Sequence, residues 1–159
     1  MPGLPDTTLL TDITRAIGQA SSGLVAMTET VALLKARLPH YTWAGIYLLE
    51  GDELVLGPYL GKPSPHTRIP LGRGICGAAA TERVTIVVDD VNSDPRYLAC
   101  SIETRSEIVV PIIVAEGPGA DSGRVLGELD IDSDRPAAFG QDDRDLLEAV
   151  AAALAPKLI

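Results

Sequence analysis

No stretch of this chain approaches the roughly 20 consecutive apolar residues that a membrane-spanning helix needs. Basic charge is scarce: 13 Lys and Arg stand against 22 Asp and Glu, leaving a net charge of -9. An acidic surface argues against general binding to nucleic acid or anionic lipid. The start, Met1-Pro2-Gly3-Leu4-Pro5-Asp6, carries no basic residue and no apolar run behind it, so no signal peptide is expected. The expected location is therefore the cytoplasm. Cysteine is rare, with only Cys76 and Cys100 in 159 residues. In a reducing compartment that pair disfavours a permanent disulfide and is compatible with a transient catalytic one. The chain also has no internal repeat and no linker long enough to split it, so one domain over 1–159 is expected.

What is present is patterned. Leu9, Leu10, Ile13, Ala16, Ile17 and Ala20 recur at helical spacing. Ser21, Ser22 and Gly23 interrupt the run. Leu24, Met27, Val31, Leu34 and Leu38 then form one apolar stripe on a second helix. Thr42 to Leu49 alternates as a strand, with Ala44, Ile46 and Leu48 on one face and Trp43, Gly45 and Tyr47 on the other. Gly51-Asp52 suits a hairpin turn into a strand at Leu54 to Tyr59. Pro63 and Pro65 make 61–66 a loop. A short helix is expected over Gly74 to Arg83, and strands at Val84 to Val88, Glu107 to Val114 and Val125 to Ser133. A closing helix runs from about Asp142 to Leu158, with Leu146, Val150, Ala153 and Leu154 as its apolar face. The order predicts an α+β fold, an antiparallel sheet with helices packed on one face. Helices occupy 1–40, the sheet and its loops 41–140, and the last helix 141–159.

Alternation makes a sharper prediction in the strand at Val125 to Ser133. Val125, Gly127, Leu129 and Ile131 share one face, and Glu128, Asp130 and Asp132 share the other. Three carboxylates on one side of one strand repel one another unless water or a cation offsets them. If the strand at Glu107 to Val114 is an antiparallel neighbour, Glu107 joins the group. If Trp43 and Tyr47 face the same side, aromatic rings border it. Three readings stay open: a solvated outer face, a divalent metal site, or a pocket for a ligand carrying a positive amine, with the rings around its apolar part. The metal reading has little support from histidine. His40 and His66 are the only imidazoles, and neither has metal-motif spacing. No metal ligand set and no cofactor are assigned.

Gly72-x-Gly74-x-x-Gly77 matches a dinucleotide-binding string. The segment before it carries Arg68 and Pro70, so it is a poor buried parallel strand. The helix after it has room for about two turns, and repeated βαβ units are lacking. The glycines read better as a tight turn into a helix. Cys76 would then lie near a helix N-terminus, where the dipole favours a thiolate.

Taken together, these residues resemble the free methionine-(R)-sulfoxide reductases, stand-alone members of the GAF-domain superfamily. The resemblance rests on Trp43-x-Gly45-x-Tyr47-Leu48-Leu49, Leu56-Gly57-Pro58-Tyr59-x-Gly61-Lys62, and Arg68-Ile69-Pro70-x-Gly72-Arg73-Gly74-x-Cys76-Gly77. Ala99-Cys100, Ser106-Glu107-Ile108-Val109-x-Pro111 and Gly127-x-Leu129-Asp130-Ile131-Asp132-Ser133 complete it. It implies a GAF fold, with a ligand cavity on the sheet face opposite the helices. It implies reduction of free L-methionine (R)-sulfoxide, with thioredoxin returning the electrons and a homodimeric assembly. It matches the reactive cysteine to Cys100, the aromatic pocket residues to Trp43 and Tyr47, and the substrate-binding acids to Glu107, Asp130 and Asp132. Cys76, the one other thiol of the chain, would resolve Cys100 if their Cα atoms come within about 7 Å; otherwise an external thiol would have to do so. The chain departs from the family pattern at one place. The first of three family cysteines, ten residues before Cys76, is matched by His66. That histidine reads as a loop residue, or as an imidazole that polarises a cysteine. The rival readings are a non-catalytic GAF sensor for a small amine-bearing metabolite and a nucleotide-binding GAF module, whose phosphates the crowded acids would repel.

Overall fold

The computed structural model describes residues 8–99 and 101–159. Cys100 and the leading residues Met1 to Asp6 lie outside the described residues. Two helices come first, α1 (Leu9–Gln19) and α2 (Gly23–Arg37). The Ser22 hydroxyl accepts the Val25 N–H and caps the start of α2; such a cap stabilises a helix by about 1 kcal/mol. A hairpin follows, β1 (Trp43–Glu50) and β2 (Glu53–Leu60), then β3 (Arg68–Pro70), α3 (Gly74–Glu82) and β4 (Ile86–Val88). The chain closes with β5 (Ser106–Ile113), β6 (Val125–Ser133) and α4 (Gln141–Leu158). The sheet order is β3-β2-β1-β6-β5-β4, and every pairing is antiparallel. That excludes the parallel βαβ unit a dinucleotide fingerprint requires. The fold is the expected α+β arrangement.

The sheet separates two apolar layers. On one face Ala44, Ile46, Ile108, Val110, Ile112, Leu129 and Ile131 pack against α1, α2 and α4. Each fully buried Leu or Ile here contributes about 1.5–3 kcal/mol. The other face carries a smaller layer with Tyr47, Leu54, Ile69, Ile75, Cys76, Ala79, Val88 and Val109, built around α3. Strand alternation assigned these faces correctly, because a period of two leaves no other choice once one face is apolar.

Two local expectations need correction. Leu24 is 63% exposed, while Ala26, Met27, Thr30, Val31 and Leu34 form the buried stripe of α2. On α4 the buried face is Leu147, Val150, Ala151, Leu154 and Ala155. Leu146 and Ala153 lie on its flank, so the stripe is rotated by about one residue. Arg68–Pro70 is an antiparallel strand, in keeping with its being a poor buried parallel one. It pairs with β2 at the rim of the sheet, where a proline without an N–H is tolerated.

Candidate active site

The register across the central strands gathers the acids. Trp43 on β1 faces Asp132 on β6, and Asp132 faces Glu107 on β5. In the next row Gly45 faces Asp130, and Asp130 faces Val109. Tyr47 and Pro111 flank Glu128 in the row after that. All four carboxyl side chains are on the α3 side of the sheet, and all are buried: Glu107 4%, Glu128 0%, Asp130 1% and Asp132 3% exposed. These values exclude the solvated-face reading. Glu128 is the acid that the family match left out, although alternation had placed it on this face.

Burying these groups disfavours their charged forms, and their mutual repulsion adds to the effect. Burial pushes the Glu107 carboxyl well up, and the charges of Asp130 and Asp132 push it further. Asp132 is raised by burial and then by Asp130, with a hydrogen bond to Glu107 acting against both. Burial raises Asp130 as well, offset in part by bonds to Glu107 and Cys76. Glu128 is raised by burial and Asp130, and a pull from the Cys76 thiol offsets part of this. Neither oxygen of Glu128 has a hydrogen-bond partner among the described residues, nor has Oδ1 of Asp130 or Oδ1 of Asp132.

Cys76 is the third residue of α3, reached through turn glycines Gly72 (φ 81°) and Gly74 (φ 69°). A side chain at Gly74 would also strike Leu98, whose Cδ1 stands 2.8 Å from where a Cβ would be. The helix start points the thiol into the acid cluster. Its Sγ donates to Asp130 Oδ2 at 3.4 Å. The expectation of a thiolate is thereby reversed. Burial raises the thiol first, and the charges of Asp130, Glu128 and Glu107 raise it further. The nearby carboxylates and the loss of water outweigh the helix dipole, and Cys76 is a neutral donor.

Aromatic residues border the acids. The Trp43 indole N–H donates to the Lys62 carbonyl at 2.9 Å, and its ring stacks on Tyr59 with centroids 5.5 Å apart. Gly45 makes that position available, since a Cβ there would lie 2.4 Å from the Trp43 ring. Tyr47 is fully buried, and its hydroxyl donates to the His66 carbonyl at 2.7 Å.

Two small voids divide the sequence-predicted residues. One of about 60 Å³ is lined by Trp43 and Asp132, with Lys62, Ser101 and Glu103 among its walls. The other, about 20 Å³, is lined by Tyr47, Cys76, Glu107 and Asp130, together with His66 and Leu98. The second holds about one water molecule, and both fall below the roughly 300 Å³ at which ligand pockets begin. The loop 61–67 and the segments beside Cys100 cover them. Lys62 Nζ is 2.7 Å from Glu103 Oε1, and His66 Nε2 is 3.0 Å from the Ala99 carbonyl oxygen. Sequence reasoning missed this clasp, because nothing in the spacing of two polar loops says that they meet.

Comparison with known proteins places this geometry. The chain matches the GAF domain family over residues 23–158. It is 38% identical over 143 residues to the free methionine-R-sulfoxide reductase of Escherichia coli, covering 90% of this chain and 82% of that protein. The X-ray structure of free methionine-R-sulfoxide reductase from Neisseria meningitidis in complex with its substrate superposes with a TM-score of 0.85 at 37% identity, covering 94% and 86% of the two chains. The structure of fRMsr of Staphylococcus aureus in its reduced form gives a TM-score of 0.87 at 35% identity, over 99% and 97%. On sequence and structure alike, this chain belongs to the GAF domain family and, within it, to the free methionine-R-sulfoxide reductases.

Proposed function

We propose that the protein reduces free L-methionine (R)-sulfoxide to methionine by thiol chemistry. The observation that carries the reading is the row Trp43, Asp132 and Glu107 across three strands, buried beneath the loops on either side of Cys100. Trp43 and Tyr47 take the apolar part of the substrate. Among Glu107, Asp130 and Asp132, one carboxylate holds the ammonium group, and one protonated carboxyl gives its proton to the sulfoxide oxygen. Cys100 attacks the sulfoxide sulfur as a thiolate. The oxygen ends on Cys100 as a sulfenic acid, and methionine leaves.

Cys76 is the other cysteine of the chain, and it is the resolving thiol in this reading. Its proton already points at Asp130 Oδ2. Attack on the sulfenic acid forms a Cys76–Cys100 disulfide and releases water; the dithiol of thioredoxin then reopens the disulfide. The same reading has the protein act in the cytoplasm as a homodimer. His66 at the position of the family's first cysteine leaves no second route for resolution within the chain.

The test supplies thioredoxin, thioredoxin reductase, NADPH and free methionine (R)-sulfoxide, and follows NADPH oxidation. Turnover is expected, lost in Cys100→Ser and slowed after the first cycle in Cys76→Ser. Tight methionine binding without turnover would replace this reading with the sensor.

A further inference from the structure

Cys76 Sγ, a Glu107 carboxylate oxygen and an Asp130 carboxylate oxygen all lie within 4.8 Å of one another. The void of about 20 Å³ is lined by these same three residues. Asp130 is 1% exposed, and its Oδ1 has no hydrogen-bond partner among the described residues. The site therefore combines a ligand set, a space of atomic size and an unmet acceptor beside it. The sequence treated the acids and the thiol as separate features, since 54 positions part Cys76 from Asp130.

From this juxtaposition we infer that Cys76, Glu107 and Asp130 form a binding site for a thiophilic divalent cation of the zinc class, whose occupancy competes with the roles proposed above for these residues in the reductase reaction. One sulfur and two carboxylate oxygens are ligands that zinc accepts. Zinc–sulfur and zinc–oxygen bonds of about 2.3 and 2.1 Å at a tetrahedral angle set the two ligand atoms about 3.6 Å apart. Cys76 Sγ and Asp130 Oδ2 already stand 3.4 Å apart, and a Glu107 carboxylate oxygen lies within 4.8 Å of the ligand atoms of both residues. The hard cations calcium and magnesium call for six or more oxygens and several waters, which this void does not hold. On binding, the metal–sulfur bond forms as the Cys76 S–H proton leaves to solvent, any proton held by the Glu107 or Asp130 carboxyl leaves in the same way as its oxygen coordinates, and no oxidation state changes. The fourth position is left to water. The buried carboxyl of Glu128, close to both Cys76 and Asp130, adds negative charge without being a required ligand.

The test uses cadmium as a probe, because a cadmium–thiolate bond has its own ultraviolet charge-transfer absorption, independent of any activity. The full-length reduced protein is titrated with cadmium, and zinc is then added in competition. The expected result is a one-to-one absorption change in the wild type and in Cys100→Ser, reversed by zinc. In Cys76→Ser the band is lost, and in Asp130→Asn the affinity falls by at least about tenfold. Glu107→Gln gives a second weakened variant should either of those fail to fold. A band that persists in Cys76→Ser and vanishes in Cys100→Ser would overturn the inference, as would a wild-type protein that gives no band.

Discussion

His66 Nε2 lies 3.0 Å from the carbonyl oxygen of Ala99, the residue before Cys100. The 61–67 loop therefore reaches the segment that precedes Cys100. This hydrogen bond joins the two segments. Together with the Lys62–Glu103 pair, it holds the cover over voids too small for an amino-acid substrate, so the cover must open for ligand to enter. The ion pair is exposed on both sides and is worth at most about 1 kcal/mol.

His66→Ala, placed in a Cys100→Ser background so that Cys76 alone reports, is expected to speed thiol labelling. Loss of one net hydrogen bond of about 1 kcal/mol raises the open fraction about fivefold. Labelling followed by mass spectrometry reads it. Equal rates in the two proteins would mean that this clasp is not what shields Cys76.

Gly45→Ala is expected to dislodge Trp43. The added methyl would meet the indole at 2.4 Å and the Tyr59 Cβ at 2.9 Å. Crowding of this kind costs about 1–3 kcal/mol. The chain has a single tryptophan, so its fluorescence reports ring position directly. A changed emission together with a lower melting temperature is the expected outcome; an unchanged spectrum would show the ring held by something other than the space above Gly45.

Glu128→Met is expected to stabilise the protein. A fully buried carboxyl with neither oxygen hydrogen-bonded is replaced by an apolar group of similar length. The gain expected is about 1–3 kcal/mol, read as a higher denaturant midpoint. A loss of stability would place an unseen partner on that carboxyl.

Asp143 is a contrasting acid, and its effect is on stability. It accepts from His40 Nε2 at 2.9 Å, from the Tyr41 hydroxyl at 2.8 Å and from the Gly140 N–H at 3.0 Å. Burial alone would raise its carboxyl; the bonds from His40, Gly140 and Tyr41 outweigh burial and hold it below the usual carboxylate range. A lowered native value means that the carboxylate stabilises the fold fully above about pH 4 and stops doing so as pH falls through that native value. Asp143→Asn is expected to cost about 1–2 kcal/mol near neutral pH. Its deficit in melting temperature should shrink below about pH 4. A deficit that stays constant with pH would mean that the charge is irrelevant there.

The sheet and its two faces could be read from the residues because alternation is a strict rule. The sequence Glu128-Leu129-Asp130-Ile131-Asp132 admits only one division into faces. The same rule put Trp43 and Tyr47 on the acid side once the strands were known to be neighbours. Helix faces were less legible. Alanines such as Ala26, Ala151 and Ala155 are buried where the sequence pointed to larger residues, because their small side chains let helices approach the sheet. The thiolate expectation at Cys76 failed for a different reason. A helix terminus can be read locally, while the carboxylates that outweigh it arrive from strands more than thirty positions away.

The rims of the sheet are only three residues long, β3 on one side and β4 on the other. Each leaves its longer neighbour partly uncovered: β2 is paired by β3 only at 53–55, and β5 by β4 only at 107–109. Pro58 and Pro111 stand in the uncovered stretches. An imino residue offers no amide hydrogen to an incoming strand, so neither flank is a good template for edge-to-edge growth into fibres. The chain thus carries built-in protection against edge-to-edge pairing of its sheet, and one of its two guards, Pro111, stands directly across from the buried Glu128.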